Sequence, residues 1–198
     1  MAGDPDTLLS QIEQSFLNYK PQKIWLKPLL KRSAVAMILQ QRAEGLSILM
    51  IKRAERDGDP WSGHMAFPGG RMDKGDAHGL AVASRETEEE VGLTLDETVP
   101  CIGRLSELRA RSRGWSLPLI ISPYVFRIEE DPVLTPNHEV AEVIWVPLDY
   151  VLDHSNRETM HFKRGKFDAK LPFYMYKNRR IWGLSLLMLD ELAELISK

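Results

Sequence analysis

An α+β fold is predicted for this chain, because apolar strand-like runs alternate with segments of helical periodicity. The runs Ser33 to Gln41 and Leu46 to Lys52 are rich in β-compatible residues, and the turn formers between them, residues 43–45, predict a hairpin. A third apolar run extends from Leu117 to Ile128. Apolar residues at helical spacing near both termini and in the middle of the chain predict helices that cover this sheet.

Composition indicates a soluble globular protein. The 198 residues are 43% hydrophobic and 27% charged, enough for one domain with a sizeable core. A net charge of −2 gives no reason to expect nucleic acid or an anionic membrane as partner. One cysteine, Cys101, excludes an intrachain disulfide, and the sequence has neither a transmembrane run nor a signal pattern. We therefore expect a cytoplasmic protein.

The first 32 residues are predicted to form an N-terminal helix and a connector ahead of a main domain, residues 33–198. Asp4-Pro5 is typical of a helix start. An apolar stripe at helical spacing then follows, formed by Leu8, Leu9, Ile12, Phe16 and Leu17. We expect this stripe to dock on the protein's own core, and a homodimer contact is the alternative.

The stretch from Gly70 to Leu93 carries the strongest chemical signal. A glycine-rich loop leads into a predicted helix that stops at Gly92, and Glu86, Glu89 and Glu90 leave one side of it at i, i+3 and i+4. Three anions at a helix C-terminus repel one another and the helix dipole. A divalent cation would relieve this repulsion, and hard oxygen ligands suit Mg²⁺ or Mn²⁺. A solvated acidic face is the simpler alternative.

This stretch resembles the Nudix box, G-x5-E-x7-R-E-U-x-E-E-x-G-U, where U is a bulky apolar residue. Arg85 to Leu93 matches its second half, apart from Thr87 at a U position. The first half differs from the Nudix box in two ways. Asp76 replaces the glutamate, and eight residues rather than seven separate Asp76 from Arg85. The resemblance implies an α/β/α sandwich with a mixed central sheet, in which the box forms a loop-helix-loop. It also implies metal-dependent hydrolysis of a nucleoside diphosphate linked to another group.

Flanking segments narrow the resemblance to coenzyme A pyrophosphatase-type members of this family. Gly63 to Gly70 and Ile181 to Ser185 are similar to their segments before the box and before the last helix. The resemblance implies cleavage of coenzyme A or acyl-CoA to 3′,5′-ADP and (acyl) phosphopantetheine. An arginine expected ahead of Gly63 is out of register, since Arg56 comes too early. Hydrolysis of ADP-ribose, NADH or nucleotide sugars therefore stays open, as does a non-catalytic ligand-binding module.

The resemblance also assigns roles to single residues. Glu86, Glu89 and Glu90 are expected to hold Mg²⁺ or Mn²⁺. The expected catalytic residues are Glu86 or Glu139 as the acceptor of the water's proton, Glu89, and Arg85 as the group that orients a glutamate. The expected substrate-binding residues are Gly69, Gly70, Arg53, Arg109 and Arg111.

The sequence also supports several predictions of local structure. Asp76 is predicted to be either the N-cap of the box helix or a contributor to the site. Glu142 is expected to pair with a basic neighbour. We predict a short helix over Tyr150 to His154, a hairpin of residues 159–163 and 173–177, and a terminal helix that opens with Arg179 to Ser185.

Overall fold

The computed structural model describes residues 5–25, 30–58, 61–110, 118–164 and 167–197. The α-helices in these ranges are α1 (Pro5–Asn18), α2 (Gly79–Val91), α3 (Leu148–Leu152) and α4 (Gly183–Ile196). The strands are β1 (Lys31–Arg42), β2 (Gly45–Arg53), β3 (Met65–Ala66), β4 (Gly69–Arg71), β5 (Cys101–Arg104), β6 (Leu108–Ala110), β7 (Leu119–Ile128), β8 (Val140–Pro147), β9 (Arg157–Arg164), β10 (Phe167–Tyr176) and β11 (Arg179–Trp182). None of the helices is long and apolar enough to cross a membrane within the described ranges.

The main sheet is mixed. Its strand order is β3-β2-β1-β7-β5, while β4 pairs with β1, β6 with β7 and β8 with β2. The long β1–β7 pairing is parallel, and the other pairs are antiparallel. A second, three-stranded sheet has the order β11-β10-β9 and is antiparallel. The predicted α+β class with a mixed central sheet is confirmed.

Strand β1 is apolar on both faces because helices cover both sides of the main sheet. Ala34 and Ile38 belong to a core that includes Val82 of α2. The alternate residue Met37 belongs to a core shared with α1 and α4. A continuous apolar run is what a strand buried on both faces requires. This layering brings α2, with its glutamates, against one face of the sheet.

Helix α1 docks largely on its own chain. Ile12 is completely buried, and the ring of Phe16 lies where a side chain at Gly103 would stand, 2.3 Å from an added Cβ atom. Leu17 is 74% exposed and does not join this core. The docking expected for the stripe is thus confirmed for its central residues. The division at residue 32 and the homodimer contact stay predictions.

The sequence prediction for residues 179–185 was wrong in part. Arg179–Trp182 forms strand β11, which pairs antiparallel with β10, and α4 begins only at Gly183. Lys177 and Asn178 adopt positive φ angles of 45° and 62° and make the tight turn between these strands. Such a turn favours a hairpin. The predicted short helix also starts earlier, as α3 ends at Leu152 and a 3₁₀ turn follows at residues 154–156.

Candidate active site

Glu90 is buried beneath the loop that joins β3 to β4. Its side chain accepts a hydrogen bond from the Gly69 amide at 2.8 Å, and its other oxygen lies 4.0 Å from Nη1 of Arg53. The residue is only 3% exposed. Burial, together with the smaller effect of the charges of Glu86 and Glu139, raises the pKa of Glu90 to about 7 against the opposing effects of Gly69 and Arg53.

The double glycine of the loop makes room for this arrangement. A Cβ atom at Gly70 would lie 2.2 Å from the carboxyl carbon of Glu86. At Gly69 it would lie 2.3 Å from the carbonyl oxygen of Ala34. At Gly69 the added atom would meet backbone, so no side chain fits, and at Gly70 a side chain fits only if the Glu86 carboxylate moves. The loop backbone therefore lies directly against the glutamate and the central strand. The predicted substrate contact of Gly69 has a competing role, since its amide is engaged by Glu90.

Arg85 lies among the acidic groups. Its Nε and Nη2 donate to the two oxygens of Asp76 at 3.1 and 3.0 Å, a bidentate pair. Its Nη1 lies 3.0 Å from Glu86 and 3.1 Å from Glu89. The hydrogen bond from Arg85 lowers the pKa of Asp76, while burial raises the pKa of Glu86 despite Arg85. One guanidinium thus serves three carboxylates, a position suited to the orienting role expected of it.

Asp76 is not the N-cap of the box helix. Helix α2 is capped by His78, whose Nδ1 accepts from the Ala81 amide at 3.2 Å. Asp76 instead accepts two hydrogen bonds from Arg85, from which eight residues separate it in the sequence. The predicted C-terminal stop is confirmed, since Gly92 has φ 72° and donates its amide to the Glu88 carbonyl.

The loop ahead of β8 joins the last turn of α2. The amides of Thr135 and Asn137 donate to the carbonyls of Val91 and Glu90 at 2.8 and 2.9 Å. This places Glu139 beside the box, where its charge raises the pKa of Glu90. Sequence reasoning missed the partner of Glu139, which is Arg56 at 3.0 Å. In the sequence, Arg56 comes too early for the arginine that the family resemblance predicts ahead of Gly63.

Arg109 and Glu142 lie apart from the glutamates of the box. Arg109 is exposed on β6, and its neighbour across the sheet is Ile120 of β7. Strands β7 and β1 separate it from β4 and Gly70. Arg111 lies outside the described residues. The expected pairing of Glu142 is confirmed, since its carboxylate accepts from Arg179 at 2.8 Å and lies 3.4 Å from Lys52.

The chemistry of Glu86, Glu89 and Glu90 fits a divalent cation, although the side chains are not preassembled around one point. In the described ranges no three acidic, histidine or cysteine side chains converge as a closed metal site would. Burial, with a smaller contribution from neighbouring carboxylates, raises the pKa values of Glu86 and Glu90 despite Arg85 and Arg53, so their charged forms would be stabilised by a bound cation. Oxygen donors of this kind suit Mg²⁺ or Mn²⁺.

Comparisons with known proteins identify the family. The sequence model of the NUDIX domain matches residues 30–171. The Nudix hydrolase NudL of Yersinia pestis, itself uncharacterised, is 29% identical over 167 residues, which are 84% of this chain and 80% of NudL. An uncharacterised protein of Schizosaccharomyces pombe is 40% identical over 104 residues, 51% of this chain but only 32% of the yeast protein.

Solved structures agree on the fold. A MutT/nudix family protein from Enterococcus faecalis superposes with a TM-score of 0.57 at 18% identity, covering 100% of this chain and 76% of that protein. An Ap4A hydrolase from C. elegans superposes with a TM-score of 0.51 at 20% identity, covering 62% of this chain and 84% of that protein. Nudix hydrolases in general use divalent metal ions. Fold, box and family match together show that this chain belongs to the Nudix hydrolases, enzymes that act on pyrophosphate bonds.

Proposed function

We propose that the protein hydrolyses the pyrophosphate bond of coenzyme A or acyl-CoA, giving 3′,5′-ADP and (acyl) phosphopantetheine. The observation that carries the hydrolase assignment is the packing of Glu86 and Glu90 against the double-glycine loop, with Arg85 in contact with Glu86 and Glu89. The choice of coenzyme A rests on the similar segments at residues 63–70 and 181–185 and on the Asp76 spacing.

The reaction requires charge neutralisation and an oriented water molecule. A pyrophosphate surrounded by negative oxygens repels an incoming hydroxide. Glu86, Glu89 and Glu90 would hold Mg²⁺ or Mn²⁺, which when bound offsets the phosphate charge and acidifies water. Arg85 orients Glu86 and Glu89 through its contacts of 3.0 and 3.1 Å. The Gly69 amide holds Glu90 in place.

Glu86 is the better candidate for accepting the proton of the water. Burial raises its pKa, which makes the carboxylate a stronger base than an exposed one. Glu139, the second choice, is engaged by Arg56 at 3.0 Å and lies in the loop ahead of β8 rather than on the box helix. We therefore assign general-base catalysis to Glu86.

A different nucleotide substrate is the second candidate. Arg56 is out of the register expected of coenzyme A-type members, and Glu139 engages it at 3.0 Å. ADP-ribose, NADH, another dinucleoside or a nucleotide sugar would use the same hydrolytic residues. A silent ligand-binding module is disfavoured, because such a protein has no need to keep three repelling glutamates on one helix face.

A panel of substrates tests the proposal. Hydrolysis of coenzyme A, dephospho-CoA, ADP-ribose, NADH and a nucleotide sugar is measured with Mg²⁺ or Mn²⁺, and products are separated by chromatography. We expect kcat/KM for coenzyme A to exceed that for dephospho-CoA at least tenfold, about 1.4 kcal/mol. A preference for another substrate would replace coenzyme A and keep the hydrolase. Binding without turnover of any substrate would leave only the silent module.

A further inference from the structure

A concave surface region lies where the connector crosses the β5–β6 region. It is lined by residues 22–25, Glu107 and Arg109, has a volume of about 470 Å³ and is open to solvent. A volume of this size accommodates a small ligand or a nucleoside. We call it the connector pocket. Four of its six lining residues precede residue 30, where the match to the NUDIX domain begins.

Hydrogen bonds hold the connector in place. The Gln22 amide donates to Oγ of Ser106 at 3.0 Å, and the Glu107 amide donates to the Gln22 carbonyl at 3.0 Å. The Ile24 amide donates to the Glu107 carboxylate at 2.7 Å. The hydroxyl group of Tyr19, just upstream, forms hydrogen bonds with the side chains of Ser106 and of Glu191 in α4. The wall of the pocket is therefore fixed to the domain by hydrogen bonds.

The floor of the pocket is a buried carboxylate whose charge is already matched. The Glu107 side chain is fully buried and lies 3.5 Å from Arg104. It also accepts from Oγ of Ser122 at 3.2 Å and from the Ile24 amide. With these partners Glu107 fixes the connector against β7, and it does not present a free negative charge to a ligand.

The rim has the opposite character. Trp25 is 96% exposed, an unusual state for the largest apolar side chain. Lys23 and Arg109, both exposed, add two positive charges to the same pocket. An exposed indole offers a stacking surface to a nucleobase, and lysine and arginine are the common partners of phosphate oxygens. The rim thus suits a planar base that carries a phosphate.

Strand register relates this pocket to the glutamates. Gly70, against which Glu86 lies, pairs with Ala34, and Ala34 pairs with Ser122. The side chains of Ala34 and of the alternate β7 residues Tyr124 and Phe126 belong to the core on the α2 side, so Ser122 points to that side as well. Two strand spacings, about 10 Å, separate Gly70 from Ser122. That span is of the order of one nucleotide.

We propose that the connector pocket binds the phosphorylated nucleoside end of the substrate, with its base on Trp25 and its 3′-phosphate between Lys23 and Arg109. The identity of that end rests on the proposed function, since coenzyme A carries a 3′-phosphoadenosine. The pocket gives the chain a means of distinguishing coenzyme A from dephospho-CoA, and its key residues lie outside the Nudix box.

Binding measurements separate this inference from the proposed activity. Calorimetry compares 3′,5′-ADP with AMP on the wild type and on the variants Trp25→Ala, Trp25→Phe and Lys23→Ala, with Lys20→Ala as a matched exposed control. We expect 3′,5′-ADP to bind at least tenfold more weakly to Trp25→Ala. Trp25→Phe should restore most of that loss, because its ring still stacks. Lys23→Ala should weaken 3′,5′-ADP but not AMP, and Lys20→Ala should change neither.

Turnover on coenzyme A supplies the second readout. If it is hydrolysed, KM in Trp25→Ala and Lys23→Ala should rise more than kcat falls. Unchanged affinities and KM values in both variants would overturn the pocket assignment and leave the proposed activity intact. Absence of turnover on coenzyme A, with Trp25-dependent binding of 3′,5′-ADP, would overturn the activity and support the pocket.

Discussion

Two clusters of acids and basic residues on this domain behave in opposite ways. In the Glu142 cluster, the carboxylate of Glu142 contacts both Arg179 and Lys52, and the hydrogen bond from Arg179 lowers the pKa of Glu142. On the box helix, Arg85 is shared by Asp76, Glu86 and Glu89, and burial raises the pKa of Glu86. The Glu142 cluster has more cations than anions, and the Arg85 cluster has more anions than cations.

The difference shows how a functional cluster can be distinguished from a structural one. A carboxylate with enough cationic partners is stabilised in its charged form and contributes to the fold. A buried carboxylate with too few partners costs stability, and a protein retains it where a ligand supplies the missing charge. The number of arginine contacts alone does not separate the two, because both clusters contain short ones.

Substitution of Glu89 should produce the largest effect. Glu89→Gln removes one of the expected metal-binding charges, and we expect turnover at saturating Mg²⁺ to fall by about two orders of magnitude or more. Glu88→Gln is the matched control, because Glu88 is exposed and its carboxylate accepts only from Thr94 among the contacts described. Near-normal activity of folded Glu89→Gln would contradict the assignment.

Glu90 should govern a pH dependence of stability. Its pKa rises from 4.5 to about 7 on folding, so between these values the folded state keeps a proton that the unfolded state has lost. Stability therefore falls as pH rises through this window. In EDTA, Glu90→Gln should exceed the wild type in free energy of unfolding by about 2 kcal/mol at pH 8.

The same comparison at pH 5 is the control for Glu90, because the folded wild type is then protonated. We expect the gap between the two proteins to be small there in urea titrations. A gap of equal size at both pH values would mean that ionisation of Glu90 is not its cause.

A methyl group at Gly70 should disturb the site through contact alone. Gly70→Ala places Cβ 2.2 Å from the Glu86 carboxyl carbon, which must move. We expect kcat to fall about tenfold or more, as small displacements of catalytic groups do. Gly75→Ala is the control, since nothing lies within 4 Å of its added Cβ atom. Equal activity of the two variants would show that the position of Glu86 is not critical.

The smallest effect should come from a substitution in the Glu142 cluster. Glu142→Gln removes a partly exposed pairing, and we expect a loss of no more than about 1 kcal/mol in the free energy of unfolding. Activity on the preferred substrate should be unchanged, because Glu142 belongs to no part of the proposed site. A large loss of turnover would remove the distinction between the two clusters.

The part of the site that depends on helical periodicity could be predicted from the sequence. Glu86, Glu89 and Glu90 share a side of α2 because the helix repeat is constant. Contacts between distant segments could not be predicted in this way. The partners Arg56 and Glu139 are far apart in the chain, and only the β2–β8 pairing brings their loops together.

Short segments were also ambiguous. Residues 179–182 contain too few positions to distinguish a strand from the first turn of a helix, and their pairing with β10 decides the outcome. The role of the connector was equally hidden, since its hydrogen bonds to Ser106 and Glu107 depend on how the β5–β6 region folds.

The hydrogen bonds from the amides of Thr135 and Asn137 to the last carbonyls of α2 fasten the end of that helix to the loop ahead of β8. Those carbonyls would otherwise fray into water, and the turn that carries Glu89 and Glu90 would loosen with them. These bonds consequently tie Glu90 and Glu139, which come from distant parts of the sequence, to one connected stretch of backbone. We expect an insertion ahead of Thr135 to leave their spacing unchanged and an insertion between Thr135 and Glu139 to alter it.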